Sequence, residues 1–404
     1  MSLKVFRRSV RLSKRVAVLS AALVLLFILG NVSPLALSQQ ANGPSSCSLT
    51  GKTVPPVSNL TATTIAETSP QFLSAVKGKS FYFSGAAASW KCTALESIDA
   101  NFMATNATGY KEDIVVSMSV SAVNTPVTVI SVGFAPAVKY GVCSNNTSDC
   151  SGPSQFWSGY QFCDGHNSGG GYCAFPPAYS IQAVYGEFTQ PNIYVPSGSN
   201  QPGCSNTLCS ISSWVGLENC SSCSDPYNYI LQTGTAGNIS SCFLCSGTTY
   251  LSWWEAYPSD PVYCKSWTPT PGDAIYPEVY FYSGNEYYVQ TTDASNGQTC
   301  SSVPSPYSWG ITPLWGDFIV ENPAGTVLPK FDNFWFLGQI TYEGSTFPIS
   351  RPFGDGWYAQ TYMENIGVIN VCSGSWQSGS CLPSVSLSGS DGEFYNTWIS
   401  SQNT

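Results

Sequence analysis

The sequence holds a single histidine, His166, in 404 residues. That scarcity closes several routes to hydrolytic chemistry. A metalloprotease helix of the His-Glu-x-x-His type needs two histidines, so that class is excluded. A Ser-His-Asp or Cys-His arrangement would have to use His166, which sits in the polar stretch Cys163-Asp164-Gly165-His166-Asn167-Ser168-Gly169-Gly170-Gly171 and reads as an exposed loop residue. No Asp-Thr/Ser-Gly pair of the aspartic-protease kind is present. Charge is also sparse, at 10% of residues, and basic charge most of all, with 15 Lys and Arg against 24 Asp and Glu. A nucleic-acid surface is built from Lys and Arg contacts to phosphate, so nucleic acid is not an expected partner. Helical periodicity is almost absent. The apolar run Val16 to Leu29 is shorter than the roughly 20 residues that span a bilayer.

That apolar run instead completes an export signal. Lys4, Arg7, Arg8, Arg11, Lys14 and Arg15 form a basic leader, and Ala36-Leu37-Ser38 offers small residues for cleavage. Residues 1–38 are therefore expected to be a signal peptide, with an uncleaved N-terminal anchor as the alternative. Its removal leaves nine basic residues against 24 acids, a net charge near −15. In acid those carboxylates neutralise and few charges remain to repel one another, which suits a secreted protein working at low pH. No stable membrane insertion is expected after cleavage, and a monomer is expected.

All 16 cysteines lie beyond the signal. An even number in an exported chain points to disulfides. Close pairs are Cys143/Cys150, Cys163/Cys173, Cys204/Cys209, Cys220/Cys223, Cys242/Cys245 and Cys372/Cys381. Cys220-x-x-Cys223 and Cys242-x-x-Cys245 also copy a zinc-ribbon spacing, but zinc needs thiolates that acid protonates, so disulfides are favoured and no metal is expected. Asn59, Asn106, Asn145, Asn146, Asn219 and Asn238 open Asn-x-Ser/Thr sequons.

Short runs of Val, Ile, Tyr, Phe and Thr, broken by 36 Gly and 27 Pro, predict an all-β chain. Strands are predicted at Ile114 to Val120, Val127 to Val132, Tyr179 to Phe188, Val279 to Tyr282 with Tyr287 to Thr291, and Phe334 to Tyr342. The small, polar stretch Cys143 to Ser154 reads as a boundary, and eleven of the 12 Trp lie after position 150. The chain thus divides into a signal (1–38), an N-terminal β-rich segment (39–152) and a Trp- and Tyr-dense β-sandwich (153–404).

Within the last part, Trp157-Ser158-Gly159-Tyr160, Ala183 to Ser197, Trp214-Val215-Gly216-Leu217, Ile230-Leu231-Gln232-Thr233-Gly234, Trp253-Trp254-Glu255 with Pro258, Pro271-Gly272-Asp273 and Phe318-Ile319-Val320-Glu321 follow in order. This set resembles the glutamic peptidases of the eqolisin family over about residues 153–404. The resemblance implies an antiparallel sandwich of two large curved sheets, jelly-roll or concanavalin-like. It implies an acid endopeptidase acting on polypeptides without cofactor, with Gln232 and Glu321 as catalytic dyad. Glu218 stands where the family usually has Asp. Residues 39–152 find no counterpart except that family precursors carry N-terminal propeptides. They are expected to be a pro-region, with a permanent accessory β-domain as the alternative.

The chemistry of those residue types agrees. A Glu carboxylate can take a proton from water and return it to a leaving amine. A Gln amide can donate N–H to a developing oxyanion. Glu218, Glu255 and Asp317 are candidate acids around the dyad that would move its working range. Trp214, Trp253 and Trp254 are candidates for the floor of a substrate cleft, with a core role competing. Two other functions stay open at this point. One is a carbohydrate-binding or glycan-cleaving sandwich using Glu255 and Glu321 as a carboxylate pair. The other is a catalytically inactive surface or adhesion protein.

Overall fold

The computed structural model describes residues 59–92, 94–109, 111–119, 128–135, 152–153, 156–163, 181–196, 204, 208–219, 229–240, 247–283, 286–304, 313, 315–323, 326–342, 344–349, 357–362, 366–372, 393–398 and 401. The signal segment, His166 and the cysteines at 143, 150, 173, 220, 223, 242, 245 and 381 lie outside them.

The chain opens with two short helices, α1 (Asn59–Glu67) and α2 (Pro70–Ala75). Then come β1 (Ser80–Lys91), β2 (Ala94–Thr105), β3 (Lys111–Ser119), β4 (Thr128–Ala135), β5 (Gly152–Pro153), β6 (Trp157–Cys163), β7 (Ile181–Thr189), β8 (Ile193–Tyr194), β9 (Cys209–Asn219), β10 (Tyr229–Ser240) and β11 (Gly247–Tyr257). The second half continues with β12 (Val262–Cys264), β13 (Ala274–Ser283), β14 (Glu286–Asp293), β15 (Gln298–Ser302), β16 (Trp315–Glu321), β17 (Lys330–Phe331), β18 (Phe334–Tyr342), β19 (Ser345–Pro348), β20 (Trp357–Tyr362), β21 (Ile366–Cys372) and β22 (Glu393–Trp398). Turn chemistry fixes several junctions. Before β13, Gly272 takes φ +94° and Asp273 accepts from the Thr270 amide at 2.7 Å, a left-handed position that suits glycine. Ser69 caps α2 by accepting from Phe72 N, with Pro70 beginning the helix.

Two large sheets form an all-β sandwich. One has twelve strands in the order β21-β22-β18-β7-β13-β14-β15-β1-β2-β3-β4, with β19 paired to β18. The other has eight, in the order β12-β11-β10-β9-β16-β6-β20-β5. The core between them takes alternate residues from facing strands: Val184, Phe188, Val279, Phe336 and Ile340 from the first sheet, Val215, Leu217, Leu231, Phe318 and Val320 from the second. Each sheet thereby removes one apolar face from water, the main stabilising term of the fold. Trp254 belongs to this inter-sheet core, so it does not floor a cleft. Its neighbours Trp253 and Glu255 point the other way, as alternation along a strand requires.

The N-terminal strands β1 to β4 continue the twelve-stranded sheet rather than forming a sheet of their own. β1 pairs antiparallel with β15, from Ala88↔Ser301 to Lys91↔Gln298. Their outer side packs Phe102, Ile114, Val116 and Met118 beneath Ala66 and Phe72 of the helices. Their inner side carries Asp99, Asn101, Asp113 and Ser117 beside Val115 and meets the edge of the eight-stranded sheet. Asn101 donates to Tyr263 O at 3.0 Å and accepts from Tyr263 N at 2.9 Å. Asp99 accepts from the backbone of Lys265 at 3.0 Å and from the Ser266 hydroxyl at 2.9 Å, and Tyr82 donates to Asp260. The disulfide Cys264–Cys300 joins β12 to β15 at the same junction. A second disulfide, Cys204–Cys209, matches one of the close pairs in the sequence.

Candidate active site

The outward side of the eight-stranded sheet carries the candidate residues. Gln232 on β10 lies opposite Gly216 on β9 and Glu255 on β11. Gly216 in turn lies opposite Asp317 on β16, and Asp317 opposite Gln161 on β6. One row across five strands therefore reads Gln161, Asp317, Gly216, Gln232, Glu255. It contains two amide–carboxylate pairs. Gln161 Nε2 donates to Asp317 Oδ1 at 2.9 Å, and Gln232 Nε2 donates to Glu255 Oε2 at 2.6 Å. Gln161 was missed in the sequence, although alternation from Trp157 along β6 places it on this face.

Glu321 is four residues beyond Asp317 on β16, opposite Ser212 and Trp157. Its Oε2 accepts from Trp214 Nε1 at 2.8 Å. Trp214 stands between the Gln232 row and Glu321, and it packs edge-on against Trp157 with ring centroids 5.2 Å apart. Gly216 makes room for it: a Cβ there would come within 2.9 Å of Trp214 Cζ3 and 3.3 Å of Gln232 Cβ. Gly234, opposite Trp214, has no room either, since a Cβ would lie 2.1 Å from Ser213 O. Trp253 donates through Nε1 to Ser212 Oγ at 3.2 Å. Trp157, Trp214, Ile230, Trp253, Tyr263 and Ile319 form one apolar cluster on this face, which also includes Val115 from β3.

The structure thus sets Gln232, Glu321, Glu218, Glu255, Asp317, Trp214 and Trp253 on one side of one sheet. All are buried: Gln232, Glu255 and Asp317 have no exposed surface, and Glu218 and Glu321 have 1%. Glu321 is accordingly not a surface acid at a strand end. Gln232 and Glu321 do not touch; they stand two strands apart and four residues out of register, roughly 10 Å across the strands and 13 Å along them. Glu255 and Glu321 are three strands apart, about 14 Å across alone, beyond the roughly 5–9.5 Å that glycoside hydrolases use between their two carboxyls. The sequon at Asn238 falls on a buried side chain of β10, so that asparagine is not a surface acceptor; Asn106 lies in an exposed turn, its Oδ1 accepting from Thr108 N.

No curated protein matches the sequence. Among solved structures, the chain is similar to a scytalido-glutamic peptidase bound to a peptide-based transition-state analogue, at 18% identity over 61% of this chain and 98% of that one, TM-score 0.38. It is also similar to SCP-B, a member of the eqolisin family of peptidases in complex with the tripeptide Ala-Ile-His, at 16% identity over 61% and 98%, TM-score 0.36. The aspergilloglutamic peptidase from Aspergillus niger matches at 18% identity over 47% and 99%, TM-score 0.25. Residues 166–362, a span that holds both Gln232 and Glu321, match the Peptidase A4 family. That match, over just under half of the chain, supports a glutamic-type peptidase of the Peptidase A4, or eqolisin, family.

Proposed function

We infer that this chain is a secreted acid endopeptidase whose dyad is Gln232 and Glu321. The observation that carries the reading is Glu321 buried under the Trp214 N–H, on the same face as the buried amide of Gln232. In the proposed reaction the Glu321 carboxylate takes a proton from water while the water oxygen adds to the scissile carbonyl carbon. The carbonyl oxygen becomes an oxyanion and accepts an N–H from Gln232. Glu321 then returns the proton to the amine nitrogen as the C–N bond breaks. Trp253 and Trp214 pack in the buried apolar cluster beside these residues. Substrates are polypeptides.

Work in acid is supported by buried carboxylates elsewhere in the fold. Burial pushes Asp113 up to about 8, with the Asp260 charge adding to it, and burial pushes Glu278 up to about 7. Asp293 is raised to about 6 by burial and by Asp273. Each binds its proton more tightly folded than unfolded. Stability is then complete below the ordinary carboxylate range and declines as pH rises through the raised values.

For residues 39–152 we favour the permanent accessory reading over a pro-region that leaves. Support comes from the β1–β15 pairing, the Asn101–Tyr263 bonds and Asp99 beneath Lys265 and Ser266. Two measurements test the function. Hydrolysis of denatured protein at pH 3 that persists with pepstatin supports it, and none at any pH from 2 to 6 rejects it. N-terminal sequencing of the acid-incubated, fully active enzyme decides the second point: an end near Gln39 is expected, and one near Ser154 restores the removable pro-region.

A further inference from the structure

A glutamine amide can be turned end for end without changing its shape, exchanging a donor for an acceptor. A dyad that relies on Gln232 therefore needs a neighbour that decides which end faces the substrate. Glu255 is placed to do so. It lies directly opposite Gln232 in the β10–β11 pairing, where facing side chains are close. It accepts from Nε2 at 2.6 Å, a short distance. A carboxyl oxygen that carries no proton can only accept, so it holds the NH2 end and refuses the oxygen. The adjacent residue locks the backbone from the other side: Thr233 Oγ1 donates to Trp253 O at 2.9 Å and lies 2.8 Å from Thr291 Oγ1 of the opposite sheet. Gln232 Oε1, fully buried, has no hydrogen-bond partner among the described residues. On the far side of Gln232 the row continues with Gly216, which brings no side chain.

We propose that Glu255 is a positioning residue that fixes the Gln232 amide, spending one N–H of Nε2 and leaving the other N–H and Oε1 for the reacting groups. This rests on Gln232 being half of the dyad. Glu255 itself does not touch the substrate; it acts through Gln232, and it removes the choice between two orientations of which only one serves the reaction.

The test uses the full chain and an internally quenched peptide substrate. Glu255→Gln keeps the shape but offers a donor and an acceptor, so it can hold the amide either way round. We expect kcat to fall 10- to 100-fold with KM within twofold and an unchanged melting midpoint. Glu255→Asp, which keeps a carboxylate, is expected to retain at least tenfold more of kcat than Glu255→Gln. A change confined to KM, or equal kcat in the two variants, overturns the proposal. An activity-independent readout comes from 15N-glutamine labelling, with the Gln232 side-chain signal assigned by its loss in Gln232→Ala. In the wild type its two amide protons are expected to be widely split, one being bonded to a carboxylate. A narrow splitting overturns the proposal even if Glu255→Gln fails to fold. If Gln232→Ala leaves kcat intact, the dyad and the positioning role fall together. If Gln232→Ala abolishes turnover and Glu255→Gln does not, the positioning role alone falls.

Discussion

On one side of strands β9, β10 and β16 lie Val215, Leu217, Leu231, Phe318 and Val320, packed into the core between the sheets. On the other side, a single residue away along the same strands, lie Gly216, Glu218, Gln232, Asp317 and Glu321. Both sides are buried, and β16 shows no exposed position from Trp315 to Glu321. The first side needs only apolar volume to be filled. The second takes carboxyls and amides out of water, which is costly unless hydrogen bonds replace what is lost. The Gln161–Asp317, Gln232–Glu255 and Trp214–Glu321 bonds are part of that replacement. The two sides therefore separate what folds the sheet from what is proposed to act on substrate.

The comparison breaks most sharply at Glu321. Glu321→Gln keeps the volume and removes the proposed base, so peptide hydrolysis should fall roughly 100- to 10,000-fold while the thermal midpoint stays put. Gln232→Ala should lower kcat by roughly 100- to 1000-fold. Substantial turnover by either folded variant would remove that residue from the dyad. The core side should give the opposite signature. Phe318→Ala, one strand position from Asp317, should cost about 3–5 kcal/mol of stability, read by denaturant unfolding, with kcat per folded molecule nearly unchanged. A catalytic loss at full occupancy would mean that the two sides are coupled.

The acids away from this face give a smaller, pH-dependent effect. Because Asp113 and Glu278 are raised to about 8 and 7, the melting midpoint should be higher at pH 4.5 than at pH 8, by on the order of 5 °C. A midpoint that falls on acidification over that range would reverse the sign and contradict their burial. The smallest effect belongs to the excluded chemistry. His166→Ala and treatment with EDTA should each leave hydrolysis within about twofold, measured on the same peptide; a large loss would reopen the triad or metal routes.

Much of this was legible in the sequence because strand patterning is local. The run from Phe334 to Tyr342 is β18 from end to end, and Pro271-Gly272-Asp273 does precede a strand, β13. Alternation alone puts Gln232, Gly234 and Ile230 on one side. The same rule would have separated Trp253 from Trp254, since adjacent residues in a strand face apart. What was not legible is long-range. β1 pairs with β15 across some two hundred residues, and nothing in either run names the other. The Cys264–Cys300 bond spans 36 residues and was not among the close pairs. The helices α1 and α2 escaped because they are nine and six residues long and rich in Thr, Ser and Pro.

Asn101 has a consequence for solubility. β12 is a three-residue strand at the end of its sheet, and an open strand edge is a template for another chain to pair with, the usual start of aggregation. At Tyr263 that template is already taken. The Asn101 side chain offers an N–H and a carbonyl to the two halves of one residue's backbone, as a neighbouring strand would. A side-chain amide from the N-terminal strands thus terminates the sheet at this residue, and a passing strand finds neither its donor nor its acceptor there. An enzyme must stay dispersed to act, and here one asparagine guards the edge of the sheet that carries Gln232 and Glu321.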